Sequence, residues 1–200
     1  MLTEAIAALH RQPPVLVAVG ASAGAAQALG QLLPKLPPAL PAAIVVVVHM
    51  PPGVPSALPA LVRSLCPLSV VEVDDKMALE PGTVYTAVPD YHLLVDDGPT
   101  AALSADPPVA RSRPSIDVLF ESVAETCRER ALGILLSGAN DDGAAGLARM
   151  RAFGALTWVQ RPDTAEMTAM PEAALARAPH LALAPAEMGD ALAAWGRSHG

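Results

Sequence analysis

The stretch Val15-Leu16-Val17-Ala18-Val19-Gly20 has no polar side chain and runs directly into Ala21-Ser22-Ala23-Gly24. A short, uninterrupted, valine-rich apolar run reads as a strand covered on both faces, which calls for helices above and below a mostly parallel sheet. Residues from Ala23 to Leu33 have helical composition and apolar spacing, so the chain makes a strand-to-helix turn at Ser22. Gly20 and Gly24 flank that serine at the spacing Gly-x-Ser-x-Gly, and glycine permits the tight backbone such a turn needs. The free N–H groups and positive end of the following helix point back at the hydroxyl, a suitable place for a developing oxyanion. Small residues at such a turn also serve phosphate binding or close packing, and the turn alone does not choose between these readings.

At 200 residues the chain is long enough to bury one sizeable core, and it reads as a single domain over 1–200. A formal charge of −7, with 13 Lys and Arg, argues against nucleic-acid backbone or anionic membrane as the main partner. Cys66 and Cys127 are the only cysteines and lack CxxC spacing, so they are expected to pack as free thiols in a reduced, cytoplasmic setting. Residues Met1 to Gln12 have no basic n-region and read as a short helix rather than a signal peptide. The longest apolar stretch without proline, Ala42 to Val48, falls far short of the ~20 residues that span a bilayer. No metal or cofactor is expected.

A proline-rich connector leads to Ile44 to Val48, a second strand of the same buried kind, which ends at His49. A strand, turn, helix and strand in about 30 residues calls for a parallel pair, whose C-terminal ends share one edge. Ser22 and His49 are therefore expected side by side, where open α/β sheets bind ligands. A dinucleotide fold would place an acid at the end of this second strand, where His49 stands instead. Met50-Pro51-Pro52-Gly53 reads as a turn, Pro55 to Leu65 as a helix with Pro59 near its first turn, and Leu68 to Val73 as a strand. From Thr83 to Leu103 short segments punctuated by Pro89-Asp90 and Asp97-Gly98 suggest a small antiparallel excursion, with His92 a surface or half-buried histidine rather than a catalytic one. A helix is expected from Arg113-Pro114-Ser115 to about Arg130, with Pro114 in its first turn. Leu132 to Leu136 is a strand, Ser137 to Gly143 a loop and Ala144 to Ala152 a helix. Strands over Ala155 to Gln160 and Leu181 to Ala184 and helices over Pro171 to Ala178 and Ala186 to Trp195 follow. The whole is an α/β chain with a doubly wound, mostly parallel sheet in three Rossmann-like layers.

A hydroxyl at Ser22, an imidazole at His49 and a carboxylate in Asn140-Asp141-Asp142 converge on one edge of that sheet. Together they suggest a serine hydrolase triad, in which His49 removes the serine proton and the carboxylate orients the imidazole. The chain order Ser, His, Asp differs from the Ser, Asp, His of α/β-hydrolases. Consecutive acids at a loop-to-helix junction point in different directions, so one reaches the imidazole while the other caps the helix or meets water. The sequence alone does not say which.

Six segments in order resemble the catalytic domain of CheB-type protein-glutamate methylesterases: VAVGASAGAAQAL, HMPPGV, LEPGTVYTAVPDYHLLV, RPSIDVLFESVA, SGANDDGAAGL and AMPEAAL. The likeness covers nearly the whole chain. It implies a nucleophile at Ser22, a base at His49 and an orienting acid at Asp142, with Ala23 and Ala139 lining the oxyanion site. It also implies hydrolysis of γ-glutamyl methyl esters, and in some members deamidation of glutamines, on the cytoplasmic domain of methyl-accepting chemoreceptors. Many members carry a receiver domain that is not expected within these 200 residues, which leaves a separate receiver or adaptor protein as a further partner. Where the family has Thr-Gly-Gly after the nucleophile this chain has Ala23-Gly24-Ala25, and where it has Met-Gly this chain has Ala139-Asn140. The runner-up reading is a non-catalytic partner-binding module, or an esterase acting on a different substrate.

Overall fold

The computed structural model describes residues 1–51, 53–178 and 180–198. The chain runs α1 (Leu2–Arg11), β1 (Leu16–Ala21), α2 (Ala25–Leu32), β2 (Ala43–Val48), α3 (Leu58–Leu65), β3 (Ser69–Glu72), β4 (Thr83–Thr86), β5 (His92–Asp96) and β6 (Thr100–Ser104). It continues through α4 (Ile116–Thr126), β7 (Ala131–Leu135), α5 (Ala144–Ala152), β8 (Leu156–Gln160), α6 (Ala169–Arg177), β9 (Leu181–Leu183) and α7 (Pro185–Arg197). Seven strands pair in parallel in the order β3-β4-β2-β1-β7-β8-β9, while β5 and β6 form a separate antiparallel hairpin.

Successive side chains of the central strands enter two different cores, which explains their lack of polar alternation. Val17 and Val19 of β1, Ile44 and Val46 of β2, and Leu132 and Ile134 of β7 pack with α1, α2, α3 and α7. Leu16 and Ala18, Val45 and Val47, and Leu135 pack with α4, α5, α6 and the hairpin. Large side chains fill both cores, Leu9, Leu29 and Trp195 in one and Leu119 and Phe120 in the other. Each fully buried leucine or phenylalanine contributes about 1.5–3 kcal/mol of transfer free energy. Because α2 follows β1 into one core and α5 follows β7 into the other, the loops after these adjacent strands part and open a crevice at the carboxyl edge.

The structure departs from the sequence reading at several places. The antiparallel excursion is confined to β5 and β6, whereas Thr83–Thr86 joins the main sheet, parallel to β2 and β3. Val84 and Tyr85 are buried in opposite cores, so β4 needs cover on both faces, which the hairpin does not offer. α3 starts at Leu58 rather than Pro55, with Pro59 in its first turn as expected. Pro114 lies before α4, whose N-cap is the extended Ser115. Of the turn expected at Met50 to Gly53, Pro52 lies outside the described residues. Cys66 and Cys127 are free, and burial raises both thiols above their ordinary pKa. No helix among the described residues is long and apolar enough to cross a membrane.

Candidate active site

The β1 ladder continues past its last residue and fixes the backbone at the sheet edge. Leu136 N–H donates to Gly20 O at 2.9 Å, Ser22 N–H to Ser137 O at 2.9 Å and His49 N–H to Ala21 O at 3.2 Å. Ser22 and His49 are thus held on adjacent strand ends, as the parallel pairing requires. Gly24 then turns the chain into α2 at φ 82°, a left-handed conformation that glycine adopts without strain. A Cβ there would also lie 2.5 Å from Ser137 Oγ and 2.8 Å from Glu166 Cβ.

Three side chains form one continuous array. Ser22 Oγ lies 3.1 Å from His49 Nδ1, and His49 Nε2 lies 2.6 Å from Asp142 Oδ2. The second distance requires a proton on Nε2, leaving Nδ1 as the acceptor that faces the serine hydroxyl. The His49 side chain is 12% exposed and that of Asp142 fully buried. Asp142 reaches the imidazole because its carboxylate turns toward the start of α4, where it accepts Ile116 N–H at 2.7 Å, Asp117 N–H at 3.0 Å and the Ser115 hydroxyl at 2.8 Å. Burial pushes this carboxyl upward, but the bonds from His49, Ile116, Asp117 and Ser115 outweigh it and hold Asp142 below the usual carboxylate range. Neighbouring Asp141 stays at the surface, with a 67% exposed side chain 3.6 Å from Arg177. Neither acid caps α5 with its side chain, since the N-cap there is Gly143. The cap that the sequence suggested is instead supplied by Asp142 to a different helix.

Ile116 wedges this end of the site together. Its side chain occupies the space where a Cβ on Gly20 or Gly143 would stand, so both residues beside the array must be glycine for α4 to approach. Asp117 lies behind it, accepting Gly146 N–H at 2.7 Å, and burial is the main cause that raises its carboxyl to about 6.

The serine end is open by comparison. A cavity of about 440 Å³ adjoins Ser22, walled mainly by apolar groups that include Val48, Met50, Pro55, Leu58 and Leu61. The N–H groups of Ala23 and Gly24 donate to no acceptor among the described residues. Ala23 and Ala139 are both exposed, and neither side chain lines the cavity. Among the described residues no group of three His, Cys, Asp or Glu side chains is placed to hold a metal ion.

His92 corrects the sequence reading. It is 1% exposed, with Nδ1 accepting Ser115 N–H at 3.2 Å and Nε2 donating to Pro107 O at 3.1 Å, so neither ring nitrogen is left to act as a base. Sequence reasoning also passed over Ser115 and Ser137. The Ser137 hydroxyl donates to Ala23 O at 2.7 Å and accepts Met167 N–H at 2.9 Å, bracing the turn that carries Ser22. Their only sequence signal is a serine at a strand or helix end, which is too common to select them.

A doubly wound parallel sheet with a Ser–His–Asp array on three adjacent strand ends defines an α/β protein of the serine-hydrolase type. The sequence profile of the CheB methylesterase family matches residues 17–192, and the chain belongs to that family. A putative protein-glutamate methylesterase/protein-glutamine glutaminase of Leptospira interrogans is 39% identical over 131 residues, 66% of this chain and 68% of that protein. A protein-glutamate methylesterase/protein-glutamine glutaminase of Geobacter metallireducens is 37% identical over 160 residues, 78% of this chain but only 44% of its own length. The crystal structure of the Thermotoga maritima CheB methylesterase catalytic domain superposes with a TM-score of 0.83 at 27% identity, covering 90% of this chain and 98% of that one.

Proposed function

We propose that this protein is a serine hydrolase that demethylates γ-glutamyl methyl esters, and deamidates glutamines, on the cytoplasmic domain of chemoreceptors. The observation that carries the reading is the unbroken hydrogen-bonded array Ser22–His49–Asp142 at the open edge of the sheet. A module that only bound a partner would not need it. Membership of a methylesterase family and the names of its relatives support the ester as substrate.

In this reading His49 Nδ1 takes the proton as Ser22 Oγ attacks the ester carbonyl carbon. The N–H groups of Ala23 and Gly24, at the start of α2, stabilise the oxyanion. Asp142 holds the imidazolium, which then protonates the departing methoxide, so methanol leaves and a γ-glutamyl ester of Ser22 remains. Water, deprotonated by His49, hydrolyses that ester, releasing a glutamate carboxylate and restoring the serine. With glutamine the same steps release ammonia. Only neutral imidazole accepts the first proton, so the reaction starts from His49 unprotonated at Nδ1. The free Cys66 and Cys127 fit a cytoplasmic setting, and control falls to a receiver or adaptor protein.

The test is methanol release from methylated receptor membranes, with wild type and Ser22→Ala side by side. Release by the wild type alone is expected. Equal release by both would remove Ser22 from the reaction, and no release by either would remove the substrate.

A further inference from the structure

Ser115 is a fully buried N-cap whose hydroxyl does more than cap. It accepts Val118 N–H at 3.5 Å, a long bond, while its single proton goes to Asp142 Oδ1 at 2.8 Å. Its own N–H is held by His92 Nδ1 at 3.2 Å, and His92 is fixed in turn by donating from Nε2 to Pro107 O at 3.1 Å. Every donor in this chain has one acceptor, and the direction of each bond follows from the one before it.

A carboxylate turns easily about its last torsion, so a backbone that places Asp142 does not by itself decide which oxygen faces His49. The two oxygens are distinguished by their partners. Oδ1 is held by the Ser115 hydroxyl and Asp117 N–H, and Oδ2 by Ile116 N–H and His49 Nε2–H. We propose that Ser115, braced by His92, is a positioning residue of the array: its hydroxyl pins Oδ1 of Asp142 and thereby aims Oδ2 at His49. The proposal rests on the hydrolase reading above. It assigns to the arginine-proline-serine segment before α4 a part in catalysis that Ser115 plays through Asp142, without touching substrate.

The ionisable groups around this carboxylate come from four directions: His49 after β2, Asp117 on α4, His92 on β5 and Asp141 beside it in the loop, the last near Arg177. Losing the Ser115 donor leaves more of the negative charge of Asp142 for the imidazolium, so the acid limb of the pH–rate profile moves to higher pH. Plain loss of a helix cap would lower stability and leave that limb in place.

The experiment compares wild type, Ser115→Ala, Ser115→Gly and Ser115→Thr in two assays. One is methanol release from methylated receptor membranes; the other is the rate at which a fluorophosphonate labels Ser22, read by peptide mass spectrometry. Glycine is tolerated at an N-cap nearly as well as serine, so Ser115→Gly removes the hydroxyl with the helix start preserved, and thermal melting verifies folding. Expected for Ser115→Ala and Ser115→Gly is a kcat about tenfold to a hundredfold lower at unchanged KM, the size of loss seen when outer partners that orient metal-ligating histidines are removed in other proteins. The acid limb moves up and Ser22 labelling slows in parallel, while Ser115→Thr restores both. Labelling of Ser22 that is as fast in folded Ser115→Gly as in wild type overturns the proposal, as does a wild type that is not labelled at Ser22 at all. Slowed labelling in a protein that releases no methanol supports the positioning role and rejects the substrate instead.

Discussion

The two ends of the Ser22–His49–Asp142 array are built on opposite plans. Asp142 is buried, with both carboxylate oxygens engaged by two backbone N–H groups, one hydroxyl and the imidazole. Ser22 is half-buried at the mouth of an apolar cavity, and the N–H groups next to it have no acceptor among the described residues. The acid end is closed by its own hydrogen bonds, and the serine end opens onto the cavity. In the proposed mechanism, charge that develops in the reaction is thus met at one end by groups already fixed in low dielectric, and at the other by donors free to hold an oxyanion.

That contrast orders the effects of substitution. Ser22→Ala removes the proposed nucleophile from the open end, where little is packed against it. A loss on the order of 10⁶ in turnover is expected, as in other serine hydrolases that lose the nucleophile, with a change in stability under about 1 kcal/mol. Activity and a denaturant melt on one preparation measure both. Asp142→Asn strikes the closed end, where the proposed mechanism gives one group a part in both catalysis and folding. It should cost ~10⁴ in turnover and, because an amide N–H₂ would meet a donor, also about 1–3 kcal/mol of stability. Asp141→Asn, at the exposed neighbour, should change neither by more than about twofold or 0.5 kcal/mol. An inactive Asp141→Asn beside an active Asp142→Asn would reverse the assignment of the two acids.

Asp117 tests whether the closed end carries a cost. Its folded-state value of about 6 lies above the ordinary 3.8, so the folded protein holds a proton there that the unfolded chain has released. Its favourable contribution is complete below the unfolded value and is lost as pH rises through about 6, leaving an ionised, buried carboxylate at neutral pH. Asp117→Asn keeps an oxygen for Gly146 N–H and should raise stability by about 1–2 kcal/mol at pH 8, and by almost nothing at pH 4. Equal effects at both pH values would show that burial of charge is not the cause. At the open end, Val54→Asp puts a charge on the apolar rim of the cavity. It should raise KM for methylated receptor about tenfold, the loss of one modest apolar contact, with kcat within about twofold. A fall in kcat at constant KM would move Val54 out of the binding surface.

The same contrast separates what was legible in the sequence from what was not. Ser22 and His49 end strands that are apolar on both faces, and parallel pairing of such strands brings their ends together without any side-chain detail. The fold class follows from the same runs. Local pattern does not distinguish Asp142 from Asp141, and only the family resemblance does, because the choice depends on where α4 begins, some 25 residues earlier in the chain, and on which acid its N–H groups capture. Ser115 and His92 were hidden for the same reason: one looks like any helix cap, and the other alternates with apolar residues in a hairpin whose burial against α4 no local pattern records. The sequence places β4 in the antiparallel excursion because flanking turns announce a short strand without giving its partner or direction. Local periodicity reports what a residue is covered by, and long-range hydrogen bonding decides what it holds.

The wedge at Ile116 has a consequence for exchanging parts between relatives. Gly20, Ile116 and Gly143 meet in one place although they are spread over most of the chain, so they behave as a single inherited character. A chimera whose parental halves join anywhere between residues 21 and 115 takes the glycine before the serine from one parent and the isoleucine that overlies it from the other. Such a hybrid retains a working edge only where both parents share this three-residue fit. A junction after residue 143 leaves the trio intact and lets the remaining strands and helices be traded freely at this point of the molecule.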